Sequence, residues 1–292
     1  MTKGFVNLVI ALPCEAQPVV DHYAMTEVLP EARNSLPRSL LKGGKRVDPF
    51  RIYRGEGLRL IVSGVGKSMA AAAVGYLFHF GGNQRDEAWL NLGIAGHADL
   101  PWGSIRIAHK ITDCSSGNSW YPPLVFDLPC KSAEVLCVDT PETKFLHDGL
   151  YEMESASVLS ISTRFSTSEL VHVVKVVSDN GAVPAHRIKR HQVQNLIFEQ
   201  LDCIVSIIDQ LQCLSGEQRA IQQSPPEFDD FLTRWHFTAT QTHQLQRLLQ
   251  RWSVLHDNES PLAAVSELGT SRAVIRTLAE RIDELTMNLK SS

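Results

Sequence analysis

The sequence lacks the motifs that identify several common classes of protein. It has no CxxC pair and no HExxH or similar Cys/His spacing, so we predict no metal site. It has no GxSxG motif, which excludes a serine nucleophile presented in that way. No window approaches the ~18 consecutive apolar residues of a membrane-spanning helix. The remainder is an ordinary globular composition, 43% hydrophobic over 292 residues, with no internal repeat or low-complexity tract.

The charge and the cysteines point to a cytoplasmic protein. The formal net charge of −4 gives no general electrostatic attraction to nucleic acid or to an anionic membrane. We interpret the six cysteines, several of which lie in apolar runs, as reduced and buried thiols. The stretch MTKGFVNLVIALPCEA has one lysine and a short apolar run, which is typical of a first strand rather than of a signal peptide. We expect no cofactor, no membrane partner and no nucleic-acid partner.

Apolar runs rich in β-branched residues alternate with helical patterns over residues 1–214. The strand candidates are FVNLVIAL (5–12), LRLIVSGV (58–65), AWLNLGIAG (88–96), SIRIAHKIT (104–112), EVLCVD (134–139) and VHVVKVVSD (171–179). The helix candidates are 66–80, 154–166 and 191–212. This alternation predicts an α/β domain whose central sheet is flanked by helices on both faces.

The character of the chain changes after Ser215. Residues 215–230 are polar with a Pro-Pro pair, which is typical of a linker, and helical patterns follow at 240–256 and 264–289. We therefore predict a C-terminal helical extension at 215–292. Its segment 231–256 has no acid and would suit an acidic partner through Arg234, His236, His243, Arg247 and Arg251. Packing of an amphipathic helix pair on the domain or on a second subunit is the simpler interpretation.

Two glycine-rich turns follow predicted strands. In SGVGKSMAAAA (63–73), glycines and a helix N-terminus could approach an oxygen-rich ligand closely. A Walker A loop would need glycine where Ile61 stands, so a strand–helix turn without a ligand is the alternative. In NLGIAGHADLPWGS (91–104), small residues again end a strand. Ligands of α/β sheets collect at such ends, although a packed turn is the alternative here too.

Acids stand at or after the ends of several predicted strands. Asp179 ends VVKVVSDN, either as a helix cap or as a general acid whose pKa a partly apolar site raises. Glu15 of ALPCEA lies either in the exposed first turn of a helix or at the same end of the sheet as Asp179. In YEMESA, Glu152 and Glu154 would point the same way on an extended segment. A carboxylate that accepts two hydrogen bonds matches the vicinal diol of a ribose.

These stretches together resemble the nucleoside phosphorylase/nucleosidase superfamily, on the side of the methylthioadenosine/S-adenosylhomocysteine nucleosidases. The resemblance rests on the order of ALPCEA, SGVGKSMAAAA, NLGIAGHADLPWGSIRIAHKITD, YEMESAS and VVKVVSD, over about residues 5–212. It implies one α/β domain around a mixed, partly barrel-like sheet. It also implies cleavage of the N-glycosidic bond of a purine nucleoside by at least a homodimer.

The resemblance implies roles for individual residues. Asp179 matches the general acid that protonates the purine near N7, and Glu15 matches the acid that orients or deprotonates the attacking water. Glu154 matches the residue that grips the ribose hydroxyls, with Met153 packing on the sugar. The pocket for base and sugar would contain Ile94, Ala95, Gly96, Phe145 and Ser178. Lys175 and Gly66 would lie at the site of the nucleophile.

Three positions depart from the family pattern. Asn91 stands where phosphorolytic relatives carry arginine, which favours water as the nucleophile. Ile94 takes the place of a usual serine, and Lys175 that of a usual arginine. The resemblance and Asn91 together lead us to expect hydrolysis of a 5′-modified adenosine such as methylthioadenosine, adenosylhomocysteine or 5′-deoxyadenosine. Phosphorolysis on the same fold and a non-catalytic nucleoside-binding or scaffold role are the alternatives.

Overall fold

The computed structural model describes residues 3–28, 41–42, 45–46, 49–180, 188–222, 225, 227–255 and 259–290. The chain divides into two compact units, Met1–Arg219 and Ala220–Ser292. The strands are β1 (Val6–Ile10), β2 (Thr26–Glu27), β3 (Leu41–Lys42), β4 (Lys45–Arg46), β5 (Arg51–Gly55), β6 (Leu58–Val62), β7 (Ala88–Gly96), β8 (Ile105–Asp113), β9 (Ser119–Trp120), β10 (Ser132–Cys137), β11 (Leu150–Glu152) and β12 (Val171–Asp179). The α-helices are α1 (Pro13–His22), α2 (Lys67–Phe80), α3 (Ser155–Ser162), α4 (Arg190–Glu199), α5 (Leu201–Gln222), α6 (Phe228–Arg234), α7 (Ala239–Leu255), α8 (Pro261–Ala264) and α9 (Ser271–Lys290).

The first unit is built on one mixed sheet. Its main path is β11-β10-β8-β12-β7-β1-β6-β5-β2, with β9 paired to β8. Strands β6, β1, β7 and β12 run parallel, whereas β8 is antiparallel to β12. An extra antiparallel pairing of β11 with β7, between Tyr151 and Gly96, folds the sheet back on itself. The sheet is therefore partly closed, and the ends of β7 and β11 meet.

Helices cover both faces of this sheet. Alternate residues of β1 point to opposite faces, so that Leu8 packs in one core cluster and Val9 in the other. The first cluster joins the sheet to α1, α4 and α5, and the second joins it to α2 and α3. These two layers confirm the predicted α/β class with a central mixed sheet flanked by helices.

The predicted helix 191–212 is interrupted. Gln200 leaves the helical conformation with φ −105° and ψ 9° and ends α4, and α5 follows directly. The apolar face that the periodicity predicts is buried in both helices, from Val193 and Ile197 in α4 to Ile204 and Ile208 in α5.

Residues 215–222 continue α5 instead of forming the linker that their polarity predicts. The buried Ser215 hydroxyl donates to the carbonyl of Asp86 at 2.7 Å and accepts from the amide of Phe5 at 3.1 Å. Arg219 pairs with the Asp86 carboxylate. These polar side chains therefore face partners in the first unit rather than solvent, and the sequence-based boundary at 214/215 lies inside a helix.

The second unit is helical and has its own core. Buried side chains of α6, α7 and α9 surround Trp252, which is 1% exposed and donates its indole N–H to the carbonyl of Glu259 at 2.8 Å. The buried residues of α7, which are Leu245, Leu248, Leu249 and Trp252, form part of this core. No helix in the described part of the chain is long and apolar enough to cross a membrane.

The six cysteines carry free thiols, but only Cys137 is buried. Cys114 and Cys213 are exposed, and the other three are partly exposed. The expectation of buried thiols is therefore wrong for five of the six positions, because apolar neighbours in sequence do not determine which face of an element a side chain occupies.

Candidate active site

A cavity of about 250 Å³ opens at the carboxyl ends of β1, β7 and β12, where the sheet turns back on itself. Its lining consists of Ala11, Leu12, Glu15, Val65, Ile94, Ala95, Gly96, Val138, Pro141, Glu142, Tyr151, Glu152, Met153, Glu154, Ser178 and Asp179. The predicted site residues in this lining are Glu15, Ile94, Ala95, Gly96, Met153, Glu154, Ser178 and Asp179. Gly66, Phe145 and Lys175 lie outside the lining, although each contacts a residue that belongs to it.

Glu15 connects the end of β1 to the turn that ends β7. It lies in the first turn of α1, where Oε2 accepts the Leu12 amide at 2.7 Å and Oε1 accepts the Ile94 amide at 2.9 Å. The side chain is buried, and burial raises the pKa of Glu15 to about 7 despite these two hydrogen bonds. Such a carboxyl is partly ionised at neutral pH. It is therefore suited to accepting a proton or to orienting a water molecule.

Glycine leaves room beside both acids that flank β7. A Cβ at Gly93 would lie 3.1 Å from Glu15 Oε1, and a Cβ at Gly96 would lie 2.5 Å from Asp179 Oδ2 and 2.8 Å from Phe145 Cε1. The Phe145 ring therefore packs against Gly96. The centroids of the Phe145 and Tyr151 rings lie 5.6 Å apart in an edge-to-face arrangement. The glycines of NLGIAG thus leave space for the carboxyl groups of Glu15, from α1, and Asp179, from β12.

Asp179 ends β12 at the cavity. The Ser178 hydroxyl donates to Asp179 Oδ1 at 2.6 Å, and the carbonyl of Asp179 accepts the His97 amide at 2.9 Å. Burial raises the pKa of Asp179, and the Ser178 hydrogen bond only partly opposes this. The neutral carboxylic acid, which can donate a proton, is therefore favoured over a wider pH range than in a free aspartate.

The two acids of YEMESA have different surroundings. Strand β11 ends at Glu152, and Glu154 already occupies the N-cap position of α3, so the extended alternation predicted for this stretch stops between them. Glu152 accepts the amides of Glu154 and Ser155 at 3.0 Å each and the Ser155 hydroxyl at 2.5 Å. Glu154 instead accepts the amide of Gly66 at 2.7 Å, at the start of α2.

A buried lysine compensates Glu152. Lys175, in the middle of β12, is 1% exposed, and its Nζ lies 2.8 Å from Glu152 Oε2. Burial disfavours both charges, but the attraction between them and the hydrogen bonds from Ser155 lower the pKa of Glu152. Burial also opposes the charge of Lys175, but the carboxylates of Glu152, Glu154 and Glu15 raise its pKa. The pair is therefore ionised. Lys175 does not line the cavity, but it binds Glu152, which does.

Glu154 differs from its neighbour in the direction in which its pKa is shifted. Burial raises its pKa, the nearby Glu152 raises it further, and Lys175 acts in the opposite direction. Of the two acids, Glu152 thus has a structural role, because it pairs with Lys175 and its carboxylate accepts the amides of Glu154 and Ser155 at the start of α3. Glu154 is held from one side by the amide of Gly66 and lines the cavity.

The GKS turn does not offer its lysine to a ligand. The Lys67 ammonium pairs with Asp113 and, at 2.8 Å, with Asp139, and these contacts raise its pKa although burial opposes this. Gly66 has φ +100°, a conformation that favours glycine, and its amide donates to Glu154. The geometry agrees with a strand–helix turn whose anion is the protein's own carboxylate.

Asn91 has a structural role at the position noted above for arginine. It is buried in β7, and its Nδ2 donates to the carbonyl of Val9 at 3.0 Å across the β1–β7 pair. The amide therefore ties two central strands together and does not line the cavity.

The sequence reasoning missed Glu142 and Tyr151 as lining residues. Tyr151 belongs to YEMESA, and its hydroxyl accepts the His147 amide at 2.9 Å, which ties down the loop before β11. Glu142 lies in that loop, outside any periodic pattern. An acid that directly follows a predicted strand can be identified from the sequence. Nothing in the sequence indicates that the loop places Glu142 at the cavity.

Several solved structures share this fold. The apo 5′-methylthioadenosine nucleosidase of Arabidopsis thaliana matches with a TM-score of 0.58 at 15% identity, over 72% of this chain and 97% of that chain. The Helicobacter pylori 5′-methylthioadenosine/S-adenosylhomocysteine nucleosidase with butyl-thio-DADMe-Immucillin-A matches with 0.54 at 15% identity, over 72% and 100%. The futalosine hydrolase of Helicobacter pylori matches with 0.51 at 16% identity, over 71% and 98%.

No protein-family model and no curated protein sequence matches the chain. The identities of the structural neighbours are low, so the likeness concerns the fold. The predicted resemblance is confirmed at that level: the chain has the nucleoside phosphorylase/nucleosidase fold.

Proposed function

We propose that this protein hydrolyses the N-glycosidic bond of a purine nucleoside. The observation that carries the proposal is the meeting of Glu15, Glu154 and Asp179 in one cavity, although they come from the ends of different strands. The nucleosidases and the futalosine hydrolase that share the fold support the same class of reaction. The cavity volume of about 250 Å³ favours a small ligand.

Asp179 would act as the general acid. Cleavage of the bond between C1′ and the base nitrogen leaves negative charge on the base and positive charge on the sugar. A protonated carboxyl at the base relieves the first charge as it develops, and the raised pKa of Asp179 keeps a proton available. Gly96 leaves room for this carboxyl beside the end of β7.

Glu154 and Met153 would hold the sugar. A carboxylate oxygen can accept hydrogen bonds from adjacent ribose hydroxyls, and its negative charge stabilises a sugar that becomes cationic in the transition state. The amide of Gly66 fixes the orientation of Glu154 without supplying a formal positive charge. The thioether of Met153 adds an apolar, polarisable contact in the same lining.

Glu15 would orient the water and accept its proton. Its pKa of about 7 matches a base that works near neutral pH. Its two backbone hydrogen bonds fix the carboxyl between β1 and β7, and Lys175 lies close enough to contribute to its electrostatics.

Water is a better nucleophile than phosphate in this cavity. The described lining contains five acids and no lysine, arginine or histidine. The nearby ammonium of Lys175 is compensated by Glu152, and the amide at the start of α2 already binds a carboxylate. A phosphate dianion would therefore enter beside several carboxyl groups with no free cation to receive it. This supports hydrolysis over phosphorolysis.

We further propose a 5′-modified adenosine as the substrate, with methylthioadenosine, adenosylhomocysteine and 5′-deoxyadenosine as the first compounds to assay. The names of the structural neighbours support methylthioadenosine in particular. Catalysis by a homodimer or a higher homo-oligomer in the cytoplasm completes the proposal. Light scattering of the purified chain tests the oligomeric state.

The deciding experiment is a chromatographic assay of base release from a panel of purine nucleosides, with and without phosphate. We expect free sugar rather than sugar 1-phosphate in both buffers. Asp179→Asn should lower turnover by about 10²–10⁴-fold while the protein stays folded. Asp127→Asn, at an exposed position outside the cavity, is the matched control. Unchanged turnover in Asp179→Asn, or ligand-dependent stabilisation without any base release, would contradict the proposal.

A further inference from the structure

The loop that joins β10 to β11, residues 138–149, contributes to the wall of the cavity. It supplies Val138, Pro141 and Glu142 to the lining. Further along the loop, Phe145 has φ 46°, a left-handed conformation that residues other than glycine rarely adopt. Such a conformation persists where the surrounding structure holds it in place, so the contacts that anchor this loop bear on the site.

Phe145 lies beside the proposed general acid. A Cβ at Gly96 would meet both Asp179 Oδ2, at 2.5 Å, and Phe145 Cε1, at 2.8 Å, so the ring and the carboxyl approach the same small space. The Phe145 ring also contacts the ring of Tyr151. The position of the loop therefore determines how much space a ligand finds beside Asp179.

The side chain of His97 anchors the second half of the loop. The ring is buried, and its Nε2 lies 3.1 Å from Oδ1 of Asp148. Its Nδ1 accepts the amides of Asp99 and Leu100 at 3.0 and 3.1 Å. Because Nδ1 accepts these hydrogen bonds, the ring proton is on Nε2, which donates to Asp148. One ring nitrogen thus binds the turn that follows β7, and the other binds the loop.

The same residue is tied to the end of β12. The His97 amide donates to the carbonyl of Asp179 at 2.9 Å. In the turn that follows β7, the carbonyl of Leu100 accepts a hydrogen bond from Nδ2 of Asn180 at 3.5 Å. His97 therefore joins the loop to the strand end that carries Asp179, although His97 does not itself line the cavity.

We propose that His97 is a positioning residue of the candidate active site, which holds the loop through Asp148 and so keeps Phe145 packed against Gly96 beside Asp179. The inference rests on the proposed function in one respect, because that function places a nucleoside in the cavity. The Asp148 side chain is 97% exposed, so solvent screens its hydrogen bond with His97. Loss of this hydrogen bond should therefore raise the population of the opened loop by about two- to fivefold.

Three single variants separate this contact from the rest of the fold. His97→Asn removes the donor to Asp148 but keeps a side-chain oxygen that accepts the amides two and three residues further on. Asp148→Ala removes the acceptor at an exposed position, whereas Asp148→Asn keeps an acceptor oxygen and should behave like the wild type. The double variant His97→Asn/Asp148→Ala should exceed neither single variant, because both remove the same contact. Asp127→Ala, at an exposed aspartate outside the cavity, is the matched control.

Limited proteolysis measures the opening of the loop. Lys144 is exposed, and trypsin cleaves after it once the loop opens. When cleavage is slow relative to reclosing, its rate reports the population of the opened loop. We expect cleavage after Lys144, identified by mass spectrometry, to rise about two- to fivefold in His97→Asn and Asp148→Ala. With methylthioadenosine as substrate, KM should rise by a similar factor and kcat should change less, because the proposed catalytic acids lie outside the loop.

The proposal is overturned if His97→Asn leaves the cleavage rate unchanged, if Asp148→Asn is cleaved as fast as Asp148→Ala, or if Asp127→Ala changes the rate equally. Faster cleavage without a higher KM would also overturn it, because His97 would then anchor the loop without positioning the site. A wild-type protein that releases no base would refute the proposed hydrolysis. The cleavage rates would in that case still decide whether His97 holds the loop.

Discussion

Replacing Lys175 with methionine tests how the buried charges of the site are balanced. Methionine keeps an unbranched side chain of similar length and removes the ammonium. Glu152 would then remain buried, with its side chain 1% exposed, and would lose the cation that lies 2.8 Å away. Removing one partner of a buried ion pair typically costs about 3–5 kcal/mol, because the remaining charge is left uncompensated.

The hydrogen bonds of Glu152 narrow the range of the expected loss in the free energy of unfolding. Glu152 keeps the amide hydrogen bonds of Glu154 and Ser155 and the Ser155 hydroxyl, so we expect a loss near the lower limit, about 3 kcal/mol. In a unit of this size, such a loss lowers the melting temperature by about 6–12 °C. Adding Glu152→Gln to Lys175→Met removes the orphaned charge and keeps an acceptor for Ser155. The double variant should therefore recover at least about 2 kcal/mol.

Scanning calorimetry at pH 7 is the assay, with denaturant unfolding as a second measure. The two units have separate cores, so their transitions are assigned first. Lys3→Met is the control, because the Lys3–Asp209 pair is exposed and should contribute no more than about 1 kcal/mol. The reasoning is refuted if Lys175→Met lowers the free energy of unfolding by less than about 1 kcal/mol, or if the double variant is no more stable than Lys175→Met alone.

Two further predictions concern Gly96 and Glu15. Gly96→Ala should displace Asp179 and sharply reduce base release, whereas Gly75→Ala, where a Cβ meets nothing within 4 Å, should keep activity and stabilise α2 by about 0.5–1 kcal/mol; equal activity of both variants would contradict the first expectation. Because the pKa of Glu15 is raised from 4.5 to about 7, the folded protein holds a proton that the unfolded chain releases. Its contribution to the free energy of unfolding should therefore fall as the pH rises from about 4.5 to 7, by at most about 3.4 kcal/mol, and stay constant at higher pH. The free energy of unfolding is measured against pH for the wild type and for Glu15→Gln, and the difference between the two curves isolates the contribution of Glu15. A difference that does not change between pH 4.5 and 7 would refute the prediction.

The sheet could be predicted because its strands are buried on both faces. The run VHVVKVVSD predicts a strand at 171–179, and β12 has these bounds because five of its nine residues are valine and all nine are buried. Lys175, in the middle of the strand, is the charged residue whose burial periodicity cannot explain. The burial of this lysine depends on Glu152, which lies far away in sequence and is brought beside it by the closing of the sheet.

Local pattern also found the acids without assigning their surroundings. Glu152 and Glu154 are equivalent in the sequence EME, yet one pairs with Lys175 and the other receives the amide of Gly66. Likewise, the lysine of GKS looks available for a ligand until Asp113 and Asp139 are placed around it. In each case the deciding partner comes from another element of the fold, so no short window of the sequence contains both partners.

The departure at Ile94 illustrates how such a site tolerates a change of side chain. What position 94 gives to Glu15 is its backbone amide, at 2.9 Å, and any residue there except proline has that donor. The amide of Leu12 supplies the second hydrogen bond, so the orientation of Glu15 depends on the β1–β7 register rather than on a hydroxyl at position 94. Ile94→Ser should therefore leave the pKa of Glu15 near 7, as the pH profile of the stability difference between Ile94→Ser and Ile94→Ser/Glu15→Gln would report. A displaced pKa in that variant would mean that the apolar isoleucine side chain, and not the burial provided by the fold, sets the protonation of this acid.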